Sequence, residues 1–243
     1  VVVFKDPLLA RAKPEWAFRT KSGAIWRDRK GTPWVEPYRP EVRAYNIAIA
    51  KEAAALGFDE IQFDYVRFPD NGEAMDRVVR YRNPQGWTKR EAIGRFLRDA
   101  REALHETGTA VSADVFGLVT TARDDMGIGQ TWREIAPAVD VISPMVYPSH
   151  YAPGTYGVRH PDLEPDVIVR RALDDAGRRN RVLAAEGKNP ARIRPWLQAF
   201  TATWVSPHRP YRAGEIREQI RAAEAAGVEQ FLLWDPACTY DYR

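Results

Sequence analysis

Short apolar segments alternate with amphipathic helical patterns along the whole chain, and this rhythm restricts the fold more than any other feature of the sequence. One helical pattern begins at Pro40, repeats apolar residues at spacings of three and four through Val42, Tyr45 and Ile49, and ends at Gly57. A run rich in β-branched and aromatic residues, "EIQFDYVRF", follows at once. Strands and helices that alternate in this way form parallel sheets with right-handed crossovers. An α/β fold is therefore predicted.

The same succession recurs to the end of the chain. Strands are predicted at about residues 1–5, 60–68, 110–116, 141–147, 193–199 and 230–235, and helices at about 40–56, 89–107, 128–139, 165–186 and 214–226. No G-x-G-x-x-G or G-x-x-x-x-G-K motif follows a strand, so a nucleotide-binding open sheet is not indicated. A TIM (β/α)8 barrel needs two more strands than these. Because no helix precedes the first strand, we expect residues 1–243 to form a single partial TIM-barrel domain that lacks its first two strand–helix units. A self-contained six-stranded sheet is the alternative.

Composition excludes several other classes of protein. The 36 basic and 33 acidic residues are mixed along the chain, without the basic cluster expected of a nucleic-acid-binding surface. No apolar run reaches the roughly 18 residues that a membrane span needs. Cys238 is the single cysteine, and the four histidines form no H-x-H or H-E-x-x-H motif, so neither a metal centre nor a cofactor is predicted. The start "VVVFKDP" has no initiator Met, and we expect the natural N-terminus to precede it.

Two carboxylates occupy equivalent positions on neighbouring predicted strands. Side chains alternate between the two faces of a strand, so Asp64 should point away from Phe63, and Asp114 in "AVSADVFG" should point the same way. The carboxyl ends of barrel strands carry the active site in TIM-barrel enzymes. A pair of carboxylates there is typical of glycoside hydrolysis, in which one acts as nucleophile or base and the other as acid. The alternative is structural: Arg67 could neutralise Asp64, and Asp114 could cap a loop.

Other polar and aromatic residues near strand ends are candidates for sugar binding. Sugar hydroxyls need polar partners, whereas the faces of pyranose rings suit aromatic side chains. The long segment 6–39 begins where active-site loops begin, and its length is typical of a lid or binding loop. The predicted substrate-binding residues are Asp6, Trp34, Gln62, Arg67, Tyr147, His150, Trp196, Gln198, Trp234 and Asp235.

Several segments together resemble one family, the putative glycosyl hydrolase domain family, which is found mainly in bacteria. They include "VVVFKDPLLA", "PEWAF", "ALGFDEIQFDYVRFP", "VSADVFG", "DVISPMVYPSHY", "IRPWLQAF" and "FLLWDP". The resemblance covers nearly the whole chain. It implies a TIM barrel in which "VVVFKDP" is the third strand, a polysaccharide or other glycan as substrate, and the two family acids at Asp64 and Asp114. The first acid is also similar to the nucleophile of α-galactosidase and α-amylase type barrels.

The leading hypothesis is an O-glycoside hydrolase with Asp64 as nucleophile or base and Asp114 as general acid. It is expected outside the cell or in the cell envelope of a bacterium, with a glycan as its partner. A non-catalytic carbohydrate-binding barrel of the cell envelope is the main alternative. A different hydrolase or lyase at the same strand ends stays open, since a fold does not fix its chemistry.

Overall fold

Residues 1–70 and 72–240 are described by the structure, which is a computed structural model. They belong to two compact units. Unit 1 comprises Val1–Asp114 and Ala122–Val141. Unit 2 comprises Val115–Thr121 and the chain from Ile142 onward.

The helices largely follow the predicted patterns. The predicted helix at 128–139 is shorter than expected and continues as a single 3-10 turn, Ala136–Ala138, that contains Pro137. Two short helices, the first and the third in the chain, were not predicted. None of the helices in the described part of the chain combines the length and the apolar character needed to cross a membrane. The helices are α1 (Pro7–Ala12), α2 (Pro40–Ala55), α3 (Gly72–Val78), α4 (Lys89–His105), α5 (Trp132–Ile135), α6 (Pro165–Ala185) and α7 (Ala213–Ala225).

The strands lie where the sequence predicts them, but most are shorter. The first predicted strand is reduced to a parallel bridge between Val2 and Asp64. The predicted strand at 193–199 is divided at Pro195, which has no N–H to donate to a neighbouring strand. The strands are β1 (Glu60–Phe63), β2 (Ala110–Phe116), β3 (Val141–Met145), β4 (Arg192–Ile193), β5 (Trp196–Gln198) and β6 (Leu232–Trp234).

Unit 1 is built around the parallel pair β1 and β2. Their register pairs Glu60 with Ala110 and Phe63 with Ala113. Phe63 is fully buried, and its ring packs edge-on against Phe96 of α4 at a centroid distance of 5.2 Å. The helix side of β1 is therefore the Phe63 face, as the alternation of side chains predicts, and Asp64 belongs to the opposite face.

The segment 6–39 is ordered and largely packed into unit 1. It contains α1, a 3-10 turn and three antiparallel bridges, which join Ala17 to Val35, Arg19 to Ile25 and Arg27 to Pro33. Several of its aromatic and aliphatic side chains are buried. They are Phe18, Trp34, Val35 and Tyr38. The segment is thus a folded insertion after the first strand.

Unit 2 contains the parallel strands β3, β5 and β6. The register pairs Met145 with Trp196, and Gln198 with Trp234. Strand β4 pairs with β3 as well. The apolar core combines residues from β5 with the buried faces of α6 and α7, among them Ile168, Val169, Leu173, Leu197 and Ala223.

Candidate active site

Asp64 is held at the carboxyl end of β1 by the first segment of the chain. Its N–H donates to the Val1 carbonyl at 2.8 Å, and its own carbonyl accepts from the Val3 N–H at 2.9 Å. The carboxylate is partly exposed, and its Oδ1 atom accepts a hydrogen bond from the Tyr65 N–H at 2.6 Å. The Asp64 backbone is fixed while its side chain still reaches solvent.

Tyr65, the residue after Asp64, has a left-handed backbone with φ of 50°. This conformation is unfavourable for a residue with a bulky side chain and occurs mainly where surrounding structure enforces it, often at functional sites. This turn ends the alternation of side chains along β1, so the face on which Phe63 lies does not determine the direction of the Arg67 side chain. The strained turn directly after a carboxylate is the first structural sign of a site here.

Asp114 lies beside Asp64 on the neighbouring strand. The register pairs Gln62 with Ser112 and Phe63 with Ala113, and Asp64 and Asp114 are the next residues along the two segments. Asp114 is only 6% exposed. Burial lowers the pKa of the Val1 amine, and the charges of Asp114 and Asp64 oppose that shift. Both carboxylates therefore lie near the same atom.

Arg67 has a carboxylate partner on its own loop. It is 7% exposed, and its guanidinium bonds Asp70 at 2.8 Å and the Phe68 carbonyl at 3.0 Å. Burial lowers the pKa of Arg67, and the charge of Asp70 is the largest effect that opposes it. Asp64 acts on Arg67 more weakly than Asp70 does. Arg67 is therefore primarily the salt-bridge partner of Asp70.

Two aromatic rings and two cations surround the turn at Tyr65. The Lys5 ammonium lies 4.7 Å from the centre of the Tyr65 ring, and the Arg67 guanidinium lies 5.2 Å from both Tyr65 and Trp34. Trp34 is only 2% exposed, and its Nε1 donates to Asp28 at 3.0 Å. The residues that cover Trp34 therefore separate its ring from any bound ligand.

Two other predicted binding residues in unit 1 have local structural roles. Asp6 caps α1, because its Oδ1 accepts from the N–H groups of Leu8 and Leu9 at 3.0 and 2.9 Å. Gln62 is partly exposed, and its carbonyl accepts from the Val1 amine at 2.6 Å. Its side chain lies on the Asp64 face of β1.

In unit 2, Gln198 is the centre of a buried hydrogen-bond network. Its Oε1 accepts from the N–H and the hydroxyl of Ser149, and its Nε2 donates to Asp162 and to the Phe200 carbonyl. Its main chain exchanges two bonds with the side chain of Gln219. The Gln198 amide thus holds the segment after β3 in place, and the side-chain bonds already present use its donors and acceptors.

Aromatic rings cluster after β3 and β5 of unit 2. Tyr147 packs edge-on against His150 and Phe200, at centroid distances of 5.3 and 5.8 Å. Phe200 stacks on Trp204 at 5.9 Å with an interplanar angle of 19°, and Trp204 is 68% exposed. Burial lowers the pKa of His150. One indole face of this cluster is open to solvent.

The remaining predicted residues of unit 2 lie around the end of β6. Trp196 and Trp234 meet edge-on at 5.9 Å, and Trp234 is 40% exposed. The Asp235 carboxylate accepts from the N–H of Ala237 and from the N–H and hydroxyl of Thr239. These bonds, that of Ala237 first, lower the pKa of Asp235. Asp235 therefore shapes the turn that follows β6.

Sequence reasoning missed Lys5, Gln130 and Trp204. Lys5 ends the first apolar run next to Asp6, and its position after a strand was an available signal. Gln130 is 1% exposed and bonds the main chain of Asp114, a contact that no local pattern reveals. In residues 1–70 and 72–240, no group of three or more His, Cys, Asp or Glu side chains is arranged to hold a metal ion.

The sequence matches the family described as "Putative glycosyl hydrolase domain" over residues 1–240. The chain belongs to this family. The predicted resemblance is therefore confirmed, and the match spans both units. A search of the curated proteins found no match.

Solved structures of similar fold include glycoside hydrolases. The glycoside hydrolase domain of PgaB (BpsB) from Bordetella bronchiseptica matches with a TM-score of 0.60 and 16% identity, over 93% of this chain and 67% of that one. The α-galactosidase TtGalA from Thermus thermophilus matches with a TM-score of 0.52 and 15% identity, over 97% and 44%. A hypothetical protein from Ruminiclostridium thermocellum is 45% identical over 47% of this chain and 55% of that chain, with a TM-score of 0.41.

The glycosidase neighbours confirm the predicted fold class. They have TIM-type barrels, and the parallel strands and helices described above are part of such a barrel. The chain spans between 44% and 67% of the length of these three solved chains. At these identities the two glycosidase structures establish the fold alone.

Proposed function

We propose that the protein hydrolyses O-glycosidic bonds of a polysaccharide or other glycan, with Asp64 as nucleophile and Asp114 as general acid. The observation that carries the proposal is the register of β1 and β2, in which Asp64 and Asp114 directly follow the last paired residues, Phe63 and Ala113. Membership of a glycosyl hydrolase family supports the same reaction class. A partly exposed Asp64 is suited to attack, and Asp114, at 6% exposed, is the more shielded of the two carboxyls.

The proposed reaction proceeds with retention of anomeric configuration. Adjacent strands are about 4.8 Å apart, which suits the carboxyl separation of about 5–5.5 Å in retaining enzymes better than the 6.5–9.5 Å of inverting ones. In the first step the Asp64 carboxylate bonds the anomeric carbon, while Asp114 gives its proton to the departing glycosidic oxygen. In the second step Asp114 takes a proton from water, the water oxygen displaces Asp64, and the sugar leaves as a hemiacetal.

We propose substrate contacts among the residues that the sequence predicts near strand ends, taken separately for unit 1 and unit 2. Gln62 lies on the Asp64 face, and Tyr147, His150, Trp196 and Trp234 carry aromatic or imidazole rings near strand ends. Five of the predicted binding residues have structural partners, and we assign them a role in holding the site more than in contacting the substrate. They are Asp6, Trp34, Arg67, Gln198 and Asp235. A polysaccharide that lies outside the cell is too large to cross the membrane, and for such a substrate we propose that the protein acts in the cell envelope or beyond it.

A screen of glycan hydrolysis tests the proposal. Neutral and acidic polysaccharides and 4-nitrophenyl glycosides of both anomers would be incubated with the protein, and the released sugars would be identified by chromatography. Proton NMR of the first product then reports its anomeric configuration. Release of sugar by the wild type that is absent in Asp64→Asn supports the proposal. A first product of inverted configuration would mean that Asp64 acts as a general base and not as a nucleophile.

The open indole face of Trp204 favours one further candidate, a non-catalytic carbohydrate-binding barrel. Such a protein would bind glycans through its aromatic rings without turnover. Isothermal titration with the oligosaccharides of the same screen separates the two functions. Binding without any released sugar would decide for the non-catalytic protein.

A further inference from the structure

Lys5 lies at the carboxyl end of the first segment, beside the turn that follows Asp64. The N–H of the preceding residue, Phe4, donates to the Tyr65 carbonyl at 3.3 Å. The Lys5 ammonium lies 4.7 Å from the centre of the Tyr65 ring and 5.8 Å from that of Trp34. The Lys5 ammonium therefore lies over the rings of Tyr65 and Trp34, and Tyr65 is the residue that directly follows the proposed nucleophile.

The donors of the Lys5 ammonium remain available. In residues 1–70 and 72–240 it has neither a hydrogen bond nor a salt bridge, although its side chain is only partly exposed. Lys89 provides a contrast: it also lies over aromatic rings, at 5.6 and 5.8 Å, but it bonds Asp76 and the Gly127 carbonyl. An ammonium carries three N–H donors that need oxygen partners.

The nearest charges argue against an acidic sugar as that partner. The positive charge of Lys5 acts on Asp28, but the carboxylate oxygens of Asp28 already accept hydrogen bonds from Trp34, Lys30 and Thr32. The side chains around the turn at Tyr65 include two cations, Lys5 and Arg67, and three carboxylates besides the proposed acid Asp114, those of Asp28, Asp64 and Asp70. Because the carboxylates outnumber the cations, a uronic acid would meet net repulsion, whereas a neutral hydroxyl would not.

We propose that Lys5 is a substrate-binding residue that donates hydrogen bonds to hydroxyl oxygens of a neutral sugar ring bound at Asp64. This inference rests on the proposed function and defines its substrate class. Tyr65 and Trp34 orient the ammonium, since an aromatic face attracts a cation without using its N–H donors. Lys5 takes no part in proton transfer or attack.

Kinetics of two Lys5 variants test the inference. The probes are 4-nitrophenyl glucosides, galactosides and mannosides, the matching glucuronides and galacturonides, and reduced-end oligosaccharides of the neutral sugars. Lys5→Met keeps the aliphatic stem and removes the donors, and we expect KM to rise about 10- to 100-fold with kcat nearly unchanged. Lys5→Arg keeps the charge, and a smaller rise is expected. Wild-type protein should prefer each neutral sugar to its uronic acid.

Lys13 supplies the matched control, because its ammonium lies over the Trp16 ring at 5.7 Å on an exposed side chain. Lys13→Met should leave KM unchanged. Monodeoxy analogues of the hydrolysed glycoside separate binding from a structural role: removal of one hydroxyl should weaken binding to wild type, and the same removal should cost nothing further in Lys5→Met. Circular dichroism and thermal unfolding verify the fold of each variant.

The possible failures can be told apart. A folded Lys5→Met variant with wild-type KM, an equal effect of Lys13→Met, additive losses with every deoxy analogue, or a preference for uronic acids would overturn the role of Lys5 alone. If Lys5→Met does not fold, the KM of Lys5→Arg and its response to the deoxy analogues test the role of Lys5 instead. Wild-type protein that neither hydrolyses nor binds any of these glycans would overturn the proposed function, and the inference with it.

Discussion

The side-chain amide of Gln130 donates a hydrogen bond to the main-chain oxygen of Asp114, with an N–O distance of 3.1 Å. The same Nε2 atom lies 3.4 Å from the Val66 carbonyl. Val66 follows Asp64 by two residues, so one buried amide connects the backbones that carry both proposed catalytic carboxylates. Gln130 is therefore a positioning residue for the pair.

Gln130→Leu should lower kcat about tenfold, because the loss of hydrogen bonds worth roughly 1 kcal/mol each lets the two carboxylates drift apart. KM should change little, since Gln130 is buried and does not face a ligand. Steady-state kinetics on a hydrolysed 4-nitrophenyl glycoside give both constants. The exposed Gln85 is the control, and Gln85→Leu should behave as wild type. A less stable Gln130→Leu that keeps full kcat would show that Gln130 supports only the fold.

Substitution of the two carboxylates should distinguish their roles. Asp64→Asn should abolish turnover on all substrates, because it removes the nucleophile. Asp114→Asn should lower kcat by about 10²–10⁴-fold on glycosides with poor leaving groups, and much less on 2,4-dinitrophenyl glycosides, whose leaving group needs no proton. Asp59→Asn, an exposed acid before the start of β1, is the control. The reverse pattern would exchange the two roles.

The faces of the strands could be predicted from the sequence because they depend on a local period of two. Phe63 packs against α4 and Asp64 lies on the other face, as the alternation requires. The parallel order of strands and helices follows from the same local patterns. The positions of Asp64 and Asp114 at strand ends indicated their chemistry, the family resemblance implied the same two acids, and their assignment remains a prediction.

The contacts that depend on distant parts of the chain could not be predicted. The left-handed turn at Tyr65 redirects Arg67 toward Asp70, and no periodic pattern announces such a turn. Gln130 reaches Asp114 across 16 residues of sequence. The three-dimensional path of the chain, which local propensity does not specify, creates these contacts.

Gly117, directly after β2, has no room for a side chain. An added Cβ would lie 2.6 Å from the Tyr151 hydroxyl and closer still to the Met145 carbonyl oxygen. Gly117→Ala should therefore lower the free energy of unfolding by about 2 kcal/mol. Gly214 in α7 is the matched control, because nothing lies within 4 Å of its added Cβ. Gly214→Ala should raise stability by about 0.5–1 kcal/mol. Urea denaturation measures both, and equal effects would contradict the steric argument.

Glu36 should make stability depend on pH. It is 1% exposed, and burial raises its pKa to about 7 against the Arg82 N–H and the Arg39 charge, which oppose the shift. The usual pKa of a glutamate is 4.5. Its contribution is thus complete below pH 4.5 and is lost as pH rises through about 7.

Over that range the free energy of unfolding of the wild type should fall by an amount of the order of 3 kcal/mol relative to Glu36→Gln, which does not titrate. Urea denaturation of both proteins across the pH range measures the difference. Parallel stability curves for the two proteins would show that folding does not raise the pKa of Glu36.

Trp204 should bind sugar through its open face. Its indole stacks on Phe200 and is 68% exposed, so one face is supported while the other meets solvent. A stacked aromatic contact contributes about 0.5–1.5 kcal/mol, and Trp204→Ala should weaken the binding of neutral oligosaccharides to the inactive Asp64→Asn protein by about 2- to 10-fold. Phe58, 62% exposed, is the control, and Phe58→Ala should leave affinity unchanged. Isothermal titration measures both, and quenching of Trp fluorescence that persists in Trp204→Ala would place the bound sugar at another indole.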